Sequence, residues 1–454
     1  MKIDIKRDWT MISYVTIVSA LALAARIWWA MNVPTTQLYD FAAYQALAEN
    51  IAAGRGHTMD GVPVAWQGCG YPYLLGFFYR AIGSVDIFWG KILNIALSMA
   101  TLPFAYLIYR KLFDKRRHAA AALTITAFLP QYVSYVNVIG TEIFFTFLMS
   151  AVIFAQLYLF KGRRRWIAAA AVGLATGAAA LTRPFMLAYP VICGVVMFAS
   201  GKKWRDTLVL TGIAALGVVL TVTPWAYRNY RLFGRLIPVS YNSGYCLYTN
   251  NNDANVNGAW MDLSAAAGSD ELSTAIGEAL EDGARSVKAA PELDPYLSAA
   301  AGEWIADNPA EFLKLGALRV YRTFFVGVND IEQWAMNGCA PPEGASESET
   351  LLYARNYNLV ISVFNSITYI LNAAGFIFVF ASSARFFRDL FSRRQCGLMP
   401  SLLIVNIAFF ALVSFVYGGE ARYAFPVFVF MIPALVAASA GFYGLYPSNV
   451  KKTC

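Results

Sequence analysis

Ten stretches of about 20 largely apolar residues punctuate this chain, and a run of that length is what a helix needs to cross a bilayer. They fall at 10–32, 87–110, 118–137, 141–160, 165–182, 184–200, 207–227, 357–381, 398–418 and 421–446. Arg183-Pro184 interrupts the 165–200 region and divides it into two spans. Of 454 residues, 58% are hydrophobic and 14% charged, with mean hydropathy +0.48. A water-soluble fold of that composition would expose large apolar patches. The expected fold class is therefore an all-α polytopic membrane protein with about ten transmembrane helices. The basic start runs into a long apolar stretch without a small-residue cleavage site, and reads as a retained first helix.

Charge fixes the expected orientation. With the N-terminus inside, the inner face receives Lys2, Lys6 and Arg7, then the clusters at 110–117, 161–165, 201–205 and 385–394, and finally Lys451 and Lys452. These hold 21 of the 36 Lys and Arg residues, as the positive-inside rule requires. Short basic clusters between apolar runs suit an anionic leaflet, so the net charge of +8 is no argument for nucleic acid as a partner. The chain then divides into a transmembrane module at 1–227, an outer segment at 228–356 and C-terminal transmembrane helices at 357–454. The first module contains an outer loop at 33–86 with an amphipathic helix at 38–54. Residues 70–83 are too short and aromatic to span, and read as a re-entrant or interfacial helix. The outer segment is expected to be mostly helical, with Asn308-Pro309 restarting a helix before an amphipathic stretch at 310–325.

Ionisable groups are costly in hydrocarbon, so each calls for a reason. Asp40, Glu142, Arg183, Arg228, Glu420 and Arg422 all fall at the outer ends of their spans or in the loops beside them. Charged side chains also snorkel or pair at helix ends, and any one of these alone would pass as an anchor. Acids and arginines from five segments at one depth point instead to a single outward-facing polar cavity. Arg26 and Lys91 read as snorkelling or paired residues. The run DANVNG at 253–258 has calcium-loop spacing, but Ser264 stands where the bidentate Glu belongs, so it reads as an Asn-rich turn. Two histidines and scattered cysteines give no metal motif. A disulfide among Cys69, Cys246 and Cys339 is neither implied nor excluded.

In order along the chain stand YDFAAYQALAENIAAGRGHT, GYPYLLGFFY, TEIFFTFL, LTRP, PWAYRNYRLFG, SYNSGYCLYTNNN, NPAEFLKL and EARYAFP. Together they resemble the GT-C class of membrane glycosyltransferases, in the bacterial branch related to protein O-mannosyltransferases and lipid A aminoarabinose transferases. The resemblance implies transfer of a sugar from a polyprenyl-phosphate carrier at the periplasmic face of a bacterial inner membrane, typically with inversion. It makes Asp40 the catalytic base and Glu142 a second acidic position. The family often carries a cation before the GYP sequence, where this chain has Gln67-Gly68-Cys69. Arg183, Arg228 and Arg422 are then the candidates for holding the donor phosphate. Asp40 is followed by Phe41 rather than a second acid, unlike the protein O-mannosyltransferases.

The residue types suit that chemistry. Departure of a lipid phosphate leaves negative charge that arginine forks stabilise, while a carboxylate takes the acceptor proton. Tyr71, Asn242, Glu420 and Tyr423 are placed in the sugar pocket, although both tyrosines read equally well as interfacial belt residues. A divalent metal shared by Asp40 and Glu142 stays open, as do the sugar and the acceptor, which is a lipid, a glycan or a protein. The rival reading is a transporter or flippase for a lipid-linked sugar. Against it, there are no matching broken segments in two halves, and the polar groups gather at one face rather than at midplane.

Overall fold

The computed structural model describes residues 5–159, 164–266, 273–274, 277, 290–326, 331–392 and 394–439. Lys2, Arg393, Lys451 and Lys452, positions 161–163 of the third basic cluster and the end of the last expected span lie outside them. In chain order come α1 (Ile5–Asn32), α2 (Tyr39–Ala52), α3 (Gly70–Ile82), α4 (Ile87–Leu112), α5 (Arg116–Phe128), α6 (Pro130–Ser134), α7 (Thr141–Tyr158), α8 (Arg165–Thr182), α9 (Tyr189–Ala199) and α10 (Trp204–Phe233). Then come α11 (Ser243–Asn250), α12 (Leu263–Ala266), α13 (Leu293–Asp307) and α14 (Pro309–Phe325). The chain continues through α15 (Glu347–Phe391), α16 (Leu398–Tyr417) and α17 (Phe428–Ser439). One small hairpin, Thr58–Met59 with Val62–Pro63, is the sheet among the described residues.

The molecule is an all-α polytopic membrane protein. Among the described residues, eight helices are long and apolar enough to span. A ninth is the bent pair Arg116–Phe128 with Pro130–Asn137, and Pro184–Ala199 is a shorter apolar helix. The described parts of the ten apolar stretches are thus helical, but three are broken, each towards the same end of the bundle. Pro130 has no N–H to give α5, and Leu129 before it is extended at φ −58°, ψ 125°, so the axis turns by 50°. Pro184 ends α8 and opens a short 3₁₀ turn, Pro184–Ala188. A further 3₁₀ segment, Ala421–Val427, precedes α17. Irregular backbone at such depth is tolerated where protein buries it or water reaches it.

Helix α15 differs from expectation in length. Its 45 residues extend about 68 Å at 1.5 Å per residue, well beyond the apolar window at 357–381. A capping box at Ser346 and Glu349 starts it early, and no proline stops it. Helices α8 and α10 approach closely because Gly173 faces Ala214: a Cβ there would lie 2.3 Å from the Ala214 carbonyl oxygen.

Arg26 is buried in the bundle, giving Nε to Ser98 Oγ (2.8 Å) and Nη1 to the carbonyls of Ala22 and Ala127. It is a structural crosslink between α1, α4 and α5. Residues 70–83 form α3, which lies on α2 through buried Tyr71, Leu75 and Tyr79. The Asn-rich turn bonds to itself: Asn255 Nδ2 reaches the carbonyls of Thr249 and Ala259, and Asn255 Oδ1 accepts the Gly258 N–H. Cys69, Cys246 and Cys339 are free thiols.

Candidate active site

The three breaks, the start of α2 and the start of α7 meet at one end of the bundle. The link from α1 to α2 is tied to the link into α7. Gln37 donates to the Asn137 carbonyl (2.9 Å) and accepts the Ile139 N–H (2.8 Å), while Asn137 Nδ2 donates to the Val33 carbonyl (2.8 Å). This clamp sets the first turn of α2, with Asp40, beside the first turn of α7, with Glu142. Tyr39 immediately before Asp40 holds φ at +50°, a left-handed conformation costly for a non-glycine residue. Its ring stands edge-on to Trp334.

Arg422 donates from Nη2 to Asp40 Oδ2 (3.0 Å) and from Nε to Glu420 Oε2 (2.5 Å). Arg183, at the end of α8, donates from Nη2 to Glu142 Oε1 at 2.7 Å. Both guanidinium carbons lie 5.6 Å from the centre of the Tyr423 ring, so one tyrosine joins the two ion pairs. Arg183 Nε and Nη1 and Arg422 Nη1 have no partner among the described residues. Glu142 is buried, and its Oε2 accepts no hydrogen bond. Gly140 makes room for it: a Cβ there would stand 2.5 Å from Glu142 Oε2 and 2.8 Å from the Phe41 ring. Tyr44, one turn along α2 from Asp40, feels all four of Asp40, Glu142, Arg183 and Arg422, and burial raises its phenol above the ordinary range.

The segment that follows α10 closes over this cluster. Cys246 on α11 has its thiol pushed up to about 12, first by burial and then by the charges of Asp40 and Glu420. Arg319, fully buried on α14, donates to the Phe415 and Asn250 carbonyls (both 2.7 Å) and to Asn251 Oδ1 (3.1 Å). It thereby fastens α11 to the end of α16, where Glu420 and Arg422 follow.

Asp40, Glu142, Arg183, Glu420, Arg422 and Tyr423 are therefore brought together. Arg228 is not brought into their hydrogen-bond network. Its Nη1 donates to the Val64 carbonyl (2.9 Å) and Asn229, its Nη2 to the His57 carbonyl (3.1 Å), and it stacks 4.5 Å over Trp225. It braces the loop between α2 and α3. Tyr71 is wholly buried with its hydroxyl given to Asn94 (3.0 Å), so it backs the wall. Asn242 stands at the N-cap of α11 and accepts from Ser240. Sequence reasoning missed Gln67, whose Nε2 donates to Asp40 Oδ1 at 3.2 Å. It also missed Tyr44, Gly140 and Arg319. Among the described residues no three His, Cys, Asp or Glu side chains are grouped to hold a metal ion.

The loop that Arg228 braces is expected to be acid-sensitive. His57 is buried, with Nδ1 donating to the Val64 carbonyl (3.0 Å) and Nε2 without a partner. Burial, helped by Arg228, lowers its imidazole from 6.5 to about 4. A neutral buried His stabilises fully above the unfolded value of 6.5, and that contribution disappears as pH falls from 6.5 towards 4. The loss is roughly 3 kcal/mol. Proteolysis within residues 54–66 is expected to accelerate between pH 6.5 and 4.5, and His57→Phe to remove that dependence. Cleavage indifferent to pH would refute it.

This helical bundle, with broken spans around an acid–arginine cluster at one end, is similar to membrane glycosyltransferases in part of its sequence and in its fold. Residues 67–227 match the family model described as dolichyl-phosphate-mannose-protein mannosyltransferase. Over 159 residues the chain is 26% identical to the undecaprenyl phosphate-alpha-4-amino-4-deoxy-L-arabinose arabinosyl transferase of Pseudomonas aeruginosa, a match covering 33% of this chain and 29% of that one. Its fold is similar to the archaeal oligosaccharyltransferase AglB from Archaeoglobus fulgidus, solved with an inhibitory peptide and a dolichol-phosphate. The TM-score is 0.53 at 15% identity, covering 96% of this chain and 51% of that one. An Archaeoglobus fulgidus oligosaccharyltransferase tethered to an acceptor peptide gives 0.52 at 13% identity, covering 95% and 49%. The chain thus spans about half the length of these solved relatives.

Proposed function

We propose that this protein transfers a glycosyl group from a polyprenyl-phosphate carrier to an acceptor at the periplasmic face of a bacterial inner membrane, with inversion. The observation that carries the reading is the pairing of Asp40 and Glu142 with two arginines that keep unused N–H groups. Arg183 offers Nε and Nη1, and Arg422 offers Nη1, to the donor phosphate. Asp40 takes the proton from the acceptor hydroxyl as its oxygen bonds to the anomeric carbon. The bond from that carbon to the phosphate oxygen breaks, and its electron pair leaves on the phosphate. The guanidiniums meet the charge where it develops. Attack opposite the leaving group inverts the centre. Arg228 supports the site by holding the outer loop, and the lipid tail runs between helices beside α3.

The test uses the full chain in nanodiscs with radiolabelled undecaprenyl-phosphate arabinose, aminoarabinose, mannose and glucose, plus an envelope extract as acceptor source. Release of undecaprenyl phosphate with label entering the extract is expected for one donor, with the opposite anomeric configuration in the product. No release from any of the four, in protein that still binds undecaprenyl phosphate, sinks the proposal.

A further inference from the structure

We infer that Gln67 selects the acceptor, and that the acceptor presents a neutral group of adjacent hydrogen-bond donors, as a sugar polyol does, rather than a phosphate. This rests on the transferase reading and adds the acceptor's chemical class. The Gln67 amide is oriented by Asp40, because only its N–H₂ side can face a carboxylate oxygen. Its Oε1 therefore faces away from Asp40. That oxygen is buried and accepts nothing, in a residue only 5% exposed. An unpaired buried acceptor costs about 1–3 kcal/mol, which an incoming donor group recovers.

A second unfilled acceptor belongs to the same cluster. Glu142 Oε2, in a residue 2% exposed, has no donor and lies against Gly140 beside Phe41, the neighbour of Asp40. A ligand entering between them meets oxygen lone pairs. A hydroxyl on Asp40 with an adjacent hydroxyl on Gln67 satisfies both. A phosphate at neutral pH would set its own lone pairs against them. Charge points the same way. Three carboxylates (Asp40, Glu142 and Glu420) already face two guanidiniums (Arg183 and Arg422). The free N–H groups accommodate one anion, the donor phosphate, and leave nothing to offset a second.

The test uses the full chain in nanodiscs, as wild type and Gln67→Met, with hexyl β-glucoside, 1-hexanol and hexyl phosphate as acceptor probes. With the donor that turns over, wild type should favour hexyl glucoside over hexyl phosphate at least about tenfold in kcat/KM. Gln67→Met should lose about tenfold on the glucoside, the upper end of what one neutral hydrogen bond contributes, chiefly through KM. Undecaprenyl phosphate binding should be unchanged. A wild type that prefers hexyl phosphate overturns the inference, as does a Gln67→Met variant whose kcat falls equally with every acceptor. Thermal unfolding with undecaprenyl phosphate bound separates this from the transferase reading. If no donor turns over, stabilisation by hexyl glucoside that Gln67→Met removes still supports the acceptor class, and stabilisation by hexyl phosphate alone refutes it. Should Gln67→Met not fold, the wild-type panel decides.

Discussion

Asp40→Asn is expected to reduce glycosyl transfer by about 10²–10⁴-fold, the range a positioned base contributes, while the protein still inserts and folds. The geometry explains the separation of the two effects. Asp40 is one-third exposed, and Arg422 keeps its 2.5 Å contact with Glu420 when Asp40 is neutralised. A partly exposed carboxylate whose arginine keeps a second acid partner can be neutralised at little cost to stability. An asparagine, however, must turn its NH₂ towards either Gln67 Nε2 or Arg422 Nη2, both of which are donors. It cannot accept a proton at either oxygen position. Transfer rates from single-turnover assays, alongside thermal unfolding in the same detergent, check both halves. Turnover near the wild-type rate would remove Asp40 from the base role. Unfolding without measurable insertion would make it a structural residue.

The depth of this site was legible in the sequence, and its rotation was not. Hydropathy and basic clusters place a residue along the bilayer normal, which is why Asp40, Glu142, Arg183 and Arg422 could be read as one layer. They do not say which way a side chain points around its helix. Arg228 lies in the last turns of α10 as Arg183 caps the end of α8, yet it turns to the carbonyls of His57 and Val64. Tyr71 sits near the right level but faces Asn94 in α4. Contacts such as that of Arg422 with Asp40, 382 residues apart, and the bond from Gln67 to Asp40 depend on tertiary packing with no local pattern. The sequence did mark Gln67 as a position where a cation was missing. Only the fold shows its amide on the candidate base. The early start of α15 had a local signal, the Ser346–Glu349 capping box, outside the apolar window that defines a span.

Arg183→Ala is expected to destabilise the protein by about 3–5 kcal/mol, the cost of stranding one member of a buried ion pair. Glu142→Gln should cost far less. The asymmetry follows from exposure. Glu142 is buried, Oε2 already lacks a donor, and Arg183 is its one ion-pair partner among the described residues. Removing the guanidinium leaves a buried carboxylate with no hydrogen-bonded cation, and Arg422 acts on it only from beyond contact. Arg183 retains some exposure and sits on the Tyr423 ring, so it can turn its freed N–H groups to water. Glutamine also keeps an acceptor oxygen for Arg183 Nη2. The double variant Arg183→Ala with Glu142→Gln should therefore recover most of the single-variant loss, because no charge is then buried alone. Chemical unfolding of the four proteins in one detergent gives the coupling energy directly. Small and additive losses would mean that water reaches Glu142 from the site, and the pair would then be a solvated contact rather than the buried anchor that holds α7 to α8 beside the acceptor.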